Sequence, residues 1–210
     1  MFKRILDELR EHAPFTVIGA VSGIIMMILF SKMPNHLSYK LFYIFHPIHV
    51  ALSGLVTASM YELKKCPTSR IHCNIPVLLI IGFVGSLGIA TLSDSLIPFF
   101  GEKLLNMPHA EAHIGFIEEW PIVVPMAILG IAIAYFKPST KFPHAGHVLL
   151  STWASLFHIL MAMGGGASWY TYIGVFFFLF IAVWLPCCIS DIAFPLLFVK
   201  DPKDHIGHNH

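Results

Sequence analysis

The sequence predicts an all-α polytopic membrane protein in which six transmembrane helices form one bundle and both termini lie in the cytoplasm. Three observations lead to this fold class: the composition, six long apolar segments, and an uneven distribution of lysine and arginine. Of the 210 residues, 56% are hydrophobic and only 12% are charged, whereas soluble domains are typically about 25% charged. We expect a single membrane domain, because no polar linker divides the chain.

The first predicted element is a short amphipathic helix over residues 1–13. Its apolar residues, Ile5, Leu6 and Leu9, alternate with charged ones, which suits a helix that lies in the membrane interface. A hydrocarbon core of ~30 Å requires about 20 helical residues. Six apolar segments of about this length form the predicted transmembrane domain, residues 14–199: Pro14–Met33, Tyr39–Tyr61, Ile75–Phe100, Trp120–Phe136, Gly146–Met163 and Trp169–Val199.

The orientation follows from the positive charges on alternate sides of these segments. Ten of the 13 Lys and Arg residues fall in the N-terminus, the second and fourth loops and the tail. The positive-inside rule therefore predicts cytoplasmic termini and a multi-pass protein of the plasma (inner) membrane. The tail, residues 200–210, is expected to be a flexible His-rich cytoplasmic end that can bind metal weakly.

The expected partners are the lipid bilayer and a metal ion. A net charge of +1 gives no reason to expect nucleic acid. Homo-oligomerisation is left open, because the sequence does not decide it.

The most informative stretch of the sequence is Phe45–Ser53, inside the second segment. His46 and His49 are three residues apart, so on a helix they point the same way and can hold one metal ion. Asp94 in the third segment and His158 in the fifth have matching predicted depths. Ionisable residues at membrane depth are costly and usually mark a site or a pathway. All four residues are therefore predicted metal ligands.

The external loop over residues 101–119 supplies further predicted ligands. His109 and His113 are four residues apart, and we expect them on one face of a short helix. Glu118 and Glu119 stand at the entrance of the fourth segment. The histidines could instead lie on a solvated helix, and the carboxylates could simply favour the positive N-terminus of the fourth helix. With more candidates than one tetrahedral ion needs, either two metals bind or some of these residues orient the ligands.

The ligand types favour a divalent transition metal, which could be Zn, Fe, Mn or Ni. This expectation assumes that thiolate is absent from the site. The cysteines do not have the spacing of a metal motif and are expected to be reduced and mainly structural: Cys66, Cys73, Cys187 and Cys188. Haem b between two spans, with His158 as one axial ligand, is a less favoured cofactor because it leaves the acidic residues without a role.

Polar residues continue inward from the predicted ligands at three- and four-residue steps. They are Ser53 and Thr57 on the second segment, and Ser155, Ser151 and His147 on the fifth. Facing each other, the two stripes would line a route for ions or protons to the cytoplasm. Alternatively, they are polar contacts between packed helices.

Two functions fit these features. A metal-ion permease is preferred, because it uses the predicted ligands, the polar stripes and the His-rich tail. The alternative is an intramembrane metalloenzyme, a mono- or di-metal hydrolase or oxidoreductase that acts on a lipid or apolar substrate. Asp94 and Glu118 would then be the candidate catalytic acids or bases.

Overall fold

The computed structural model describes residues 2–65, 74–139, 141–164, 168–188 and 194. Every regular element in these residues is a helix: α1 Phe2–Phe30, α2 Asn35–Lys65, α3 Ile75–Thr91, a π-helical turn Leu92–Leu96, α4 Ile97–Leu104, α5 Gly115–Glu118, α6 Trp120–Phe136, α7 Lys141–Ala162 and α8 Trp169–Cys188. The prediction of an all-α chain is confirmed.

Among the described residues, five helical stretches are long and apolar enough to cross a membrane. They are Ala13–Phe30, Asn35–Lys65, Ile75–Leu104, Ala145–Ala162 and Trp169–Cys187. The remaining apolar helix, α6, has 17 residues. At 1.5 Å per residue it is ~26 Å long, slightly less than a typical hydrocarbon core.

The first helix continues through the boundary that we expected between an interfacial helix and the first span. Pro14 lies inside α1 without ending it. A proline removes its own backbone donor and its ring crowds the carbonyl four residues earlier, but here the helix continues on either side of it. Residues 2–13 therefore belong to the same helix as the first apolar stretch, and their position at the membrane interface stays a prediction.

The third apolar stretch contains a feature that the sequence did not predict. Its start is capped by Asn74, whose side chain accepts a hydrogen bond from the Val77 backbone N–H at 3.4 Å. The π turn interrupts the α-helical register seventeen residues later, and helix then resumes to Leu104, beyond the expected end at Phe100. Single π turns inside α-helices are frequent at functional sites. This one carries Asp94.

Helix α2 is the central helix of the bundle, because it packs against α3, α6 and α7. Its approach to α6 depends on two glycines. A Cβ at Gly130 would overlap the Ala51 carbonyl, and one at Gly54 would lie 3.1 Å from the Ala127 carbonyl oxygen. The packing of α2 against α3, α6 and α7 together buries its polar face, which includes the histidine pair.

The segment between α4 and α5 is not helical, so the expected helix carrying His109 and His113 is wrong. Asn106 ends α4 in the left-handed conformation, with φ 52°. The backbone N–H groups of the two histidines then donate to α7. His109 donates to the Ala162 carbonyl at 3.1 Å, and His113 donates to Nε2 of His158 at 3.2 Å. Because these donors are used by α7, they do not form local helical hydrogen bonds.

The sixth predicted segment is helical from Trp169 to Cys188, with Pro186 inside its last turn. The predicted His-rich tail, residues 200–210, lies outside the described residues.

Candidate metal centre

Asp94, on the π turn, forms the centre of a buried polar cluster. Its Oδ2 lies 2.9 Å from Nδ1 of His46 and 2.6 Å from Nδ1 of His49. Its Oδ1 accepts hydrogen bonds from the hydroxyls of Ser93 at 2.7 Å and Ser151 at 3.1 Å. All five side chains are buried. The surrounding donors compensate a carboxylate charge that would be costly if it were buried alone.

The contacts with Asp94 also determine the tautomers of the two imidazoles. A carboxylate oxygen only accepts, so each Nδ1 carries the proton, and Nε2 of a neutral imidazole is then a lone pair. Within the described part of the chain, Nε2 of His46 and Nε2 of His49 are buried without a hydrogen-bond partner. In His49 this arrangement leaves Nε2 available to an ion while the carboxylate holds the ring in place.

Gly115, the first residue of α5, closes the space beside His46. A Cβ on this glycine would overlap Cδ2 and Nε2 of the imidazole. The α5 backbone therefore lies directly against the edge of the ring that carries the unpartnered nitrogen, and only glycine permits this approach.

The structure brings His46, His49 and Asp94 into a first group that could hold a metal ion. Their ligand atoms all lie within 4.8 Å of one another. The two histidines are one helical turn apart on α2, on either side of Pro47, and Asp94 comes from the π turn. We call this the aspartate group.

His49 also belongs to a second such group, with His147 of α7 and Cys187 of α8, again within 4.8 Å. Nε2 of His147 lies 3.1 Å from Sγ of Cys187. The ring centroids of His49 and His147 are 4.6 Å apart. We call this the thiol group. It contains a cysteine that we expected to be structural and a histidine that we expected to line a pathway.

His158 lies in a different environment from the one predicted. Its Nδ1 is 2.6 Å from Oε1 of Glu102, and its Nε2 accepts the backbone N–H of His113 at 3.2 Å. Both ring nitrogens are thus used within the protein, and in this arrangement neither can bind a metal or haem. The ring of Phe42 packs against both His158 and His46, with centroid distances of 5.4 and 5.3 Å. Among the described residues, His158 belongs to neither metal-capable group.

Glu118 and His113 form a partly exposed cluster at the end of the bundle that carries the α4–α5 segment, which we call the loop end. Nδ1 of His113 is 3.3 Å from Oε2 of Glu118, and the two side chains are 20% and 34% exposed. Oε1 of Glu118 accepts the Ile114 backbone N–H at 3.1 Å. The Tyr43 hydroxyl donates to Oε2 of Glu118. These contacts hold the segment before α5 against α2.

The other two predicted ligands, His109 and Glu119, also lie outside both groups in the described chain. His109 is exposed and lines a loop-end cavity of about 530 Å³ together with His36, Lys40 and Glu111. Glu119 directly precedes α6, the position that the helix-terminus alternative assigned to it.

The predicted stripes are buried on α2 and α7, which pack against each other. Ser53 and Thr57 are on α2. On α7, the Ser155 hydroxyl donates to the Ser93 carbonyl at 2.9 Å and to the Ser151 carbonyl at 2.8 Å. At least part of the α7 stripe therefore connects packed helices, and its role as a pathway stays a prediction.

Comparison with protein-family models, with characterised proteins and with solved structures gives no match for this chain. The functional inference rests on the geometry of the two groups.

Proposed function

We propose that this chain is an integral membrane permease for a divalent transition metal. The observation that supports the proposal is the buried aspartate group, whose two histidines lie on α2 between loop-end polar residues and the hydroxyls of Ser53 and Thr57. In the proposed topology, α6 joins the five longer candidate spans to give six crossings. Both termini are then cytoplasmic, and the loop end faces the exterior.

The hydrogen bonds within the aspartate group favour a releasable ion. Coordination through both Nδ1 atoms and Oδ2 requires each imidazole to move its proton to Nε2 and to give up its hydrogen bond to Asp94. Hydrogen bonds to charged groups typically contribute about 1.5–3 kcal/mol each. Loss of two such bonds offsets roughly 3–6 kcal/mol of metal binding, equivalent to about 10²–10⁴ in affinity. A transport site needs such moderation, because it must also release its ion.

The proposed route follows α2. Phe42 packs on His46 at the loop-end side, so its ring must turn to admit an ion from the loop-end cavity. On the other side, Ser53 and Thr57 lie one and two turns beyond His49. The helical rise places Thr57 ~12 Å further along the bundle than His49. Hydroxyl oxygens at these positions can replace part of the hydration shell of the ion.

The test is metal flux into proteoliposomes that enclose a metal-sensing dye, with Zn²⁺, Mn²⁺, Fe²⁺ and Ni²⁺ supplied one at a time. Asp94→Asn should lower uptake to the level of empty vesicles, because a neutral amide is a weaker ligand for a divalent ion than a carboxylate. Ser95→Ala is the matched control. It alters a buried hydroxyl on the same π turn that has no contact with Asp94 among the interactions described. A monodisperse wild-type protein that moves none of the four metals would refute the permease.

A second candidate, an intramembrane metalloenzyme, is favoured by the number of contacts that hold Asp94 in place. Such a preorganised carboxylate suits a resident metal. This alternative predicts stoichiometric metal that survives dialysis together with no flux. The permease predicts metal that exchanges on dialysis.

A further inference from the structure

We infer that the thiol group is a second metal site of different chemistry, which selects a zinc-like ion over manganese. The inference rests on the proposed function and adds the class of ion. The three side chains of the thiol group come from three helices, α2, α7 and α8, and all are buried. Cys187 is a thiol rather than half of a disulfide.

The ligand atoms follow from contacts that are already made. Nδ1 of His49 bonds Asp94, so Nε2 is the nitrogen that His49 can offer to the thiol group. His147 presents Nε2, the atom that lies 3.1 Å from Sγ of Cys187. Sγ is the third ligand. The two groups therefore lie at different edges of one imidazole ring, and an ion that leaves the aspartate group is delivered beside the thiol group.

When the thiol group binds one divalent ion, it releases one proton. The divalent ion forms two bonds to neutral imidazole nitrogens and one bond to sulfur, and the S–H bond breaks. The thiol proton goes to water, so the buried site changes charge by +1 for each ion bound. Three protein ligands leave the fourth tetrahedral position open, which permits ligand exchange.

The sulfur ligand gives the thiol group a preference for zinc over manganese that the aspartate group does not have. Zinc binds thiolate and imidazole readily in tetrahedral geometry, whereas manganese prefers carboxylate, carbonyl and water oxygens. Two imidazoles and one carboxylate accept most divalent transition metals. Imidazole and carboxylate ligands alone suit Zn, Fe, Mn and Ni, and Cys187 is the residue that distinguishes among these metals.

The test uses Co²⁺ as a spectroscopic substitute for Zn²⁺ in the purified full-length chain in detergent. We expect a near-ultraviolet thiolate-to-cobalt charge-transfer band that saturates on titration and disappears when Zn²⁺ is added. Cys187→Ser should abolish the band, and so should His147→Gln. Cys188→Ser, a matched change of the adjacent cysteine, should retain it. Absence of the band in the wild-type protein, or its loss with Cys188→Ser and retention with Cys187→Ser, would overturn the assignment.

The second measurement compares Zn²⁺ with Mn²⁺ uptake in proteoliposomes. Cys187→Ser should lower the preference for Zn²⁺ at least tenfold, and an unchanged preference overturns the selective role. The two measurements also distinguish this inference from the proposed function. A cobalt–thiolate band without any flux leaves the thiol site standing and refutes the permease. Flux without the band leaves the permease standing and refutes the thiol site.

Discussion

Gly115→Ala tests the geometry of the aspartate group from outside its ligand set. The added Cβ would lie less than 3.0 Å from Cδ2 and Nε2 of His46, a separation that real Cβ atoms essentially never show. Carbon atoms in contact prefer about 3.5–4.0 Å, so either the imidazole or the α5 backbone must move by roughly 1 Å. The Nδ1–Oδ2 distance of 2.9 Å between His46 and Asp94 leaves little room for such a shift before the hydrogen bond is lost.

The magnitude follows from the two ways in which the clash can be relieved. If the imidazole moves, its Nδ1 leaves the position beside Asp94 from which it could bind the ion, and metal affinity falls by about 10- to 100-fold. The lost hydrogen bond also destabilises the protein by about 1.5–3 kcal/mol. If α5 moves instead, overpacking destabilises the protein by about 1–3 kcal/mol, and the contacts of the loop end loosen. Either route should lower metal uptake, whereas only the first lowers equilibrium metal affinity.

The assay combines metal titration, thermal unfolding and vesicle uptake for the Gly115→Ala protein. Gly88→Ala, on α3, is the matched control, because a Cβ at Gly88 meets no atom of the described residues within 4 Å. Wild-type affinity, stability and uptake in Gly115→Ala would show that α5 does not pack on the imidazole, and the reasoning about the closed group would be refuted.

Two further substitutions distinguish residues that bind the metal from residues that stabilise the surrounding structure. His158→Phe should leave metal binding intact but lower the free energy of unfolding by about 3–5 kcal/mol, because Glu102 loses its buried partner. In chemical denaturation, the added change Glu102→Gln should restore much of that stability. Loss of metal binding in His158→Phe alone would contradict the assignment of His158 as a residue outside the metal groups. Ser151→Ala removes one donor to the Asp94 carboxylate and should lower metal affinity about 10- to 150-fold, or 1.5–3 kcal/mol. In isothermal titration, Thr152→Val is its control, since among the described hydrogen bonds that buried α7 hydroxyl donates only to the Val148 carbonyl of its own helix.

The sequence predicts the depth of a residue in the membrane and which residues share one face of a helix. The three-residue spacing placed His46 and His49 on one face of α2, and the matching depth identified Asp94 as a residue that could meet them. Depth alone cannot give the position of a residue across the bundle. His158 has a comparable predicted depth, yet it pairs with Glu102 while Phe42 packs between helices beside it. Which neighbouring helix a side chain faces depends on the rotation of its own helix about the helix axis, and the sequence of a single span does not determine that rotation.

The missed residues have a related explanation. Glu102 was assigned to an external loop because the predicted span ended at Phe100, whereas helix continues to Leu104. The π turn has no periodic signature in Leu92–Leu96, so neither its extra residue nor the resulting rotation of the helix beyond it could be read from the sequence. Cys187 lies in an apolar stretch with no motif around it, and only the packing of α8 against α7 shows that its thiol meets an imidazole.

The hydrogen bonds of the α7 serines narrow the proposed route to α2. Ser151 is a donor to Asp94, and Ser155 satisfies the Ser93 carbonyl on the π turn, so both hydroxyls hold that turn in place. An ion that used them would have to dismantle the aspartate group. The Ser53 hydroxyl, in contrast, is buried without a hydrogen-bond partner within the described chain, one helical turn from His49. A buried hydroxyl without a hydrogen-bond partner loses nothing when it turns to a passing ion, so Ser53 would be the first oxygen that an ion meets beyond His49 on the proposed route.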